Sequence, residues 1–216
     1  VWQFSQLGSG NFQGSDAETD AMWTGPYSLI NRANYAINHI NTMQNVTADN
    51  KDHFLGELYF LKAWSYFMLV RAYGEVPIYK ETVVEMDEYR NFPRKSIPEV
   101  YQYITGLLDD AKDMMYKNTD AGYDSKKVGR VCSGSAAGLL SKVYATMGSG
   151  SLPASEQVTV MTGKQFQIVA GNKVYTDPVA QTFNKSQVKG YETFNPVECY
   201  TKARDLAKDL IEGVYG

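Results

Sequence analysis

The chain has 216 residues, of which 44% are hydrophobic and 21% charged, with a formal net charge of -3. That is enough apolar material for one sizeable core, and the absence of a basic run argues against nucleic acid as a partner. Two histidines and two cysteines leave little for metal or thiol chemistry. Val1-Trp2-Gln3-Phe4 has neither the charged start nor the apolar run of a signal peptide.

Residues 1–20 are polar and contain Gly8, Gly10 and Gly14, so an irregular lead-in is expected. From Trp23, apolar residues recur at Tyr27, Ile30, Ala33, Ile37, Ile40 and Met43, steps of three and four that predict a helix over 24–45. Pro26 fits only a first turn, which places the start near Thr24. Residues 52–73 predict a second helix, apolar on nearly every face and ended by Gly74 and Pro77. It should lie inside a helical array with Leu58, Leu61, Ala63, Phe67 and Leu69 inaccessible, because a surface helix keeps one polar face. Glu57, Lys62 and Arg71 interrupt it and argue against a membrane span. A structural role is expected for these three, with partners from neighbouring helices.

A connector runs from Gly74 to Lys95. Ser96-Ile-Pro-Glu99 is a capping box, opening a helix over 97–116 striped by Val100, Ile104, Leu107, Leu108, Ala111 and Met115. A fourth helix over 135–147 presents Ala136, Ala137, Leu140 and Val143, small enough to let a neighbour approach closely. Asn195-Pro196 caps a fifth over 196–212, striped by Tyr200, Ala203, Ala207 and Leu210. Between these last two, Val158–Met161, Gln165–Ala170 and Lys173–Thr176 read as short strands, with Gly171-Asn172 as a two-residue hairpin turn. The expected fold is all-α: a tetratricopeptide-like helical-repeat α-solenoid with a small β-hairpin insertion. Residues 23–148 and 196–216 form its helical core, and 149–195 form the insert.

Four stretches, in order, resemble the SusD/RagB family. They are Trp23-x-x-x-Tyr27-x-x-Ile30-x-Arg32-Ala33-Asn34; the run from Gly56 through Phe60-Leu61-Lys62-Ala63 and Tyr66-Phe67 to Tyr73-Gly74-x-Val76-Pro77; Arg94-Lys95-Ser96-Ile97-Pro98-Glu99; and Gly129-Arg130-Val131 with Ala136-Ala137-x-Leu139-Leu140-x-Lys142-Val143-Tyr144. The resemblance implies the N-terminal helical-repeat domain of a lipid-anchored protein on the bacterial outer-membrane surface. It further implies a non-catalytic binder of oligosaccharide or polysaccharide, or of peptide in some branches, working with a SusC-type TonB-dependent transporter. Membrane contact would come only through a lipid anchor that this sequence does not contain.

Catalytic constellations are poor. His39 and His53 lack zinc spacing and read as surface or packing residues, and Cys132 and Cys199 read as small buried apolar residues. Asp16-x-Glu18-x-Asp20 alternates like a calcium loop but lacks its glycine and final glutamate, so no metal and no cofactor is expected. Sugar rings offer apolar faces to aromatic rings and hydroxyls to amides and carboxylates. Trp2, Phe4, Asn11, Phe12 and Asp16 supply both kinds in an irregular segment and are the candidate ligand residues. A helical scaffold that binds only protein or peptide is the alternative, and a helical-toroid glycan hydrolase or lyase a third reading.

Overall fold

The computed structural model describes residues 17–83, 92–123 and 129–216. Five helices occur in it: α1 (Ala17–His39), α2 (Ala48–Tyr73), α3 (Ile97–Met114), α4 (Ser133–Ser151) and α5 (Pro196–Ile211). Each packs chiefly on its neighbours in the chain, α1 on α2, α2 on α3, α3 on α4 and α4 on α5. That serial packing is how an α-solenoid builds its core, because no single helix pair can bury its own apolar face. The fold is accordingly mostly helical and tetratricopeptide-like.

Local chemistry sets most helix ends. The Thr47 hydroxyl accepts from the Asn50 N–H at 3.3 Å and opens α2. Ser96 and Glu99 form the reciprocal capping box of α3, with the Ser96 N–H donating to Glu99 Oε2 at 3.0 Å. The Asn195 side-chain oxygen Oδ1 accepts from the Val197 and Glu198 N–H groups at the start of α5. Gly74, at φ 71°, ends α2 in a conformation that favours glycine.

Several boundaries differ from the periodicity, among them both ends of α4, Ser133–Ser151 rather than 135–147. Helix α1 starts at Ala17, so Pro26 lies well inside it rather than in the first turn. Pro26 has no N–H for the Met22 carbonyl, and a proline there costs about 3 kcal/mol in an isolated helix; burial of Pro26, Tyr27 and Ile30 against the core offsets this. The same helix ends at His39 and tightens into a 3-10 turn, Ile40–Thr42. Helix α2 begins one turn early because Thr47 supplies its cap.

In α2, Ala63, Tyr66, Phe67, Leu69 and Val70 are buried. Leu58 and Leu61 are only half-buried and Trp64 is 42% exposed, which corrects the expectation of an all-round buried helix. The helix is flanked by α1 and α3 and leaves one edge open. At Gly56 it approaches α3 so closely that a Cβ would lie 2.6 Å from Met115 Cγ and 3.2 Å from the Ala111 carbonyl oxygen. Opposite these stand Val100, Tyr101, Ile104, Leu108 and Ala111 of α3, then Ala136, Leu140 and Val143 of α4, all buried in the same core.

Between α4 and α5 four strands, β1 (Gln157–Met161), β2 (Gln165–Val169), β3 (Asn172–Thr176) and β4 (Ala180–Asn184), pair as β1 with β4 and β2 with β3, antiparallel. Gln157 faces Asn184 and Val169 faces Asn172 in one unbroken register, so the two ladders are the base and tip of a single ribbon. The turn residues are Ala170 (φ 50°) and Gly171 (φ 80°), one position earlier than Gly171-Asn172. Both positive φ values match a turn whose twist suits a tight hairpin. Strand β4 was not anticipated: Ala-Gln-Thr-Phe-Asn has no apolar run, and pairing with β1 holds it in place.

Candidate functional site

The site-forming surface begins with three asparagines on α1. The Asn31 side chain exchanges hydrogen bonds with the Val83 backbone, donating at 3.1 Å and accepting at 2.8 Å. Asn34 Nδ2 donates to the Tyr79 and Glu81 carbonyls at 3.1 and 2.7 Å, and Asn38 Nδ2 to the Thr82 hydroxyl at 3.3 Å. Spaced by three and four, they lie on one helix face and hold residues 79–83 against α1. The phenols complete its backbone pairing: Tyr27 donates to the Pro77 carbonyl at 2.9 Å, and the Tyr79 N–H donates to the Tyr66 oxygen at 2.8 Å. Burial raises the pKa of Tyr27 and Tyr66 far above that of a free phenol, so both remain donors.

Held this way, the connector and α3 enclose a cleft of about 650 Å³. Ile78, Lys80, Glu81, Phe92 and Lys95 form one wall. Glu99, Gln102, Tyr103, Gly106, Leu107 and Asp110, one face of α3, form the other. Phe92 is 42% exposed and meets the buried Tyr79 edge to face at 4.8 Å. Tyr103 packs its ring against Tyr66 at 5.4 Å, and burial pushes its pKa up to about 12. Beneath it lies Lys62, 3% exposed, with Nζ 5.6 Å from the Tyr103 ring. Burial lowers the Lys62 pKa to about 8, partly opposed by the Glu81 carboxylate. Two aromatic rings beside an amide, carboxylates and amines can stack on an apolar face and bond its hydroxyls. Glu99 and Asp110 stand eleven residues apart, roughly 16 Å along the helix axis. That is too far for these two to act as the paired carboxylates of glycoside cleavage, which need about 5–10 Å, and Glu81 is the third carboxylate of the cleft.

Trp2, Phe4, Asn11, Phe12 and Asp16, the sequence candidates, lie outside the described residues. The cleft residues were not singled out from the sequence. Their signal was the second stripe of α3, Glu99, Gln102, Tyr103, Gly106 and Asp110, opposite the core stripe.

Of the charges on α2, Glu57 is paired with Arg130, whose Nε donates to Oε1 at 2.8 Å and whose Nη2 meets Oε2. His53 is buried; its Nδ1 accepts from the Tyr116 N–H at 3.2 Å, which places the Nε2 hydrogen towards Glu57 Oε1, 3.6 Å away. Arg71 donates to the Phe67 carbonyl and lies over that ring at 4.2 Å. Neither pairing is with a neighbouring helix as expected: Arg130 precedes α4, and the Arg71 contacts are to its own helix. Both cysteines are free thiols; Cys199 is buried, whereas Cys132 is half-exposed at the start of α4, a correction to the reading of both as buried. Among the described residues no group of three histidine, cysteine or acidic side chains is placed to hold a metal. No helix among them is long and apolar enough to cross a membrane.

Serial helices framing an aromatic-lined cleft define the class as a tetratricopeptide-like helical-repeat protein. A sequence profile of SusD-like proteins, described as starch-binding and associating with the outer membrane, matches residues 2–145. A SusD-like protein of Bacteroides ovatus is 27% identical over 145 residues, 66% of this chain and 25% of its own length. Surface glycan-binding protein A from Bacteroides uniformis is 25% identical with a TM-score of 0.52, over 60% of this chain and 28% of that one. A SusD homologue from Bacteroides thetaiotaomicron, 21% identical with a TM-score of 0.65, shares the fold over 95% of this chain and 31% of its own. The chain belongs to the SusD-like family. It spans about a quarter to a third of the length of these relatives.

Proposed function

We propose that the chain is the helical-repeat part of a non-catalytic surface glycan-binding protein. It would capture oligosaccharide at the outer membrane for a SusC-type TonB-dependent transporter. Residues 1–216 form one such unit in this reading. Family membership supports the class, and the cleft between the connector and α3 carries the reading for this chain. Its rings and polar groups suit a neutral sugar, with three carboxylates and two amines nearly balancing in charge. The name of the Bacteroides uniformis relative, a surface glycan-binding protein, points the same way.

Affinity electrophoresis against a panel of polysaccharides tests it. At least one neutral glycan should retard the protein without being cleaved, and Phe92→Ala or Gln102→Ala should reduce that retardation. Each stacked ring contributes about 1 kcal/mol, which after the cost of association leaves dissociation constants on the order of millimolar. Cleavage of the glycan would overturn the reading; migration unchanged by every glycan would favour a protein or peptide ligand. The ribbon supports that second reading, since Phe166, Ile168, Tyr175 and Phe183 are all more than half exposed.

A further inference from the structure

A second cleft, of about 440 Å³, opens where the end of α2, α4 and the chain leaving the ribbon meet. Arg71, Lys142 and Lys185 line it, and no carboxylate does. Among the described residues none of the three forms an ion pair, in a chain whose net charge is -3. Helix ends account for only part of this. Arg71 Nε donates to the Phe67 carbonyl and Lys185 Nζ to the Ser149 carbonyl. That leaves four guanidinium N–H groups, two ammonium hydrogens on Lys185 and all three on Lys142. Cations gathered in a concavity without a counter-charge raise the local potential and attract an anion.

The walls are firmly placed. Tyr191 lines the cleft, 5% exposed, with its hydroxyl 2.8 Å from that of Tyr101. Its ring lies so close to Gly150 that a Cβ there would fall 2.3 Å from Tyr191 Cδ1. Thr146 adds a hydroxyl, engaged with the Lys142 carbonyl at 2.9 Å. Planar guanidinium geometry suits carboxylate or sulfate oxygens two at a time, while the two lysines act as point charges.

We infer that this cleft binds an anionic group, carboxylate or sulfate, carried by the glycan ligand, so the protein selects acidic glycans. This rests on the glycan-binding reading above and adds a substrate class to it. The test is titration calorimetry of the full chain with three size-matched oligosaccharides: a polygalacturonate, a sulfated galactan and a neutral β-glucan. At low ionic strength at least one acidic series should bind about 10-fold tighter than the neutral one, and 0.5 M NaCl should abolish that advantage. Preference for the polygalacturonate alone assigns a carboxylate, for the sulfated galactan alone a sulfate, and for both either anion. Lys142→Ala with Lys185→Ala should remove about 10-fold of acidic-glycan affinity and leave neutral binding unchanged. Lys164→Ala, on the ribbon, should change neither. Should loss of the Lys185 contact to Ser149 impair folding, Lys142→Glu alone, at an exposed position, should still weaken acidic binding. Acidic glycans binding no tighter than the neutral one, or full affinity in the lysine variants, would overturn this inference and leave the neutral cleft standing. Absence of binding to all three would instead sink the glycan reading itself.

Discussion

At the residue scale, the pairing of Glu57 with Arg130 ties the middle of α2 to the segment that opens α4. The Glu57 side chain is 12% exposed and that of Arg130 38%, so the pair sits between the surface and buried regimes. Removing the cation leaves a poorly hydrated carboxylate, and Arg130→Ala should destabilise by about 1–3 kcal/mol, read as a lower urea midpoint. Glu57→Gln should cost less, since no buried charge is stranded. Lys62 behaves oppositely. Its pKa is about 8 in the folded chain and near 10.5 when free. Below pH 8 it is protonated in both states and the burial penalty is fully present. Between about pH 8 and 10 the unfolded chain binds more protons, so stability should rise with pH. Lys62→Met should abolish that rise and raise stability at pH 7 by about 1–3 kcal/mol, measured by denaturant melts across this range. A variant still gaining stability from pH 8 to 10 would show that another group is responsible.

At the element scale, the helices were legible because caps and stripes agree. Ser96 to Glu99 and Asn195-Pro196 named their helix starts, and Gly74 named the end of α2. What misled was tertiary override. Pro26 read as a start signal, yet Trp23 packs on Tyr27 and Tyr73, and the Tyr73 hydroxyl donates to the Thr19 carbonyl, contacts that hold the turns of α1 before Pro26 back to Ala17. The hairpin turn was misplaced by one residue because Gly171-Asn172 looks the better local turn. Cross-strand pairing of Phe166 with Tyr175 instead puts Ala170 and Gly171 at the tip. The cleft was hidden for another reason: it joins one face of α3 to a connector whose path depends on Asn31, Asn34 and Asn38 more than 40 residues earlier. No spacing rule relates these. Among the described residues the ribbon makes no extensive packing contact with any helix. Replacing residues 157–184 with a short Gly-Ser linker should therefore leave helical circular dichroism and the melting temperature within a few degrees of the parent. Collapse of both would mean that the ribbon supports the array.

At the scale of the whole molecule, the helical array frames two clefts among the described residues, one nearly balanced in charge and one cationic. The Asn ladder and buried phenols hold residues 77–83 against α1 and α2, which limits the ordering cost of binding in the neutral cleft. Salt should leave binding at Phe92 and Tyr103 nearly unchanged, because stacking has no ion pair to screen. The central claim is that a glycan occupies the cleft between the connector and α3. The direct measurement is a two-dimensional amide NMR titration of the full chain with a neutral oligosaccharide that retards it in electrophoresis. The account predicts concentration-dependent shifts concentrated at Ile78 to Glu81, Phe92 and Glu99 to Asp110, saturating in the millimolar range. Shifts confined to the ribbon or to residues 1–16, with the α3 face unmoved, would contradict it.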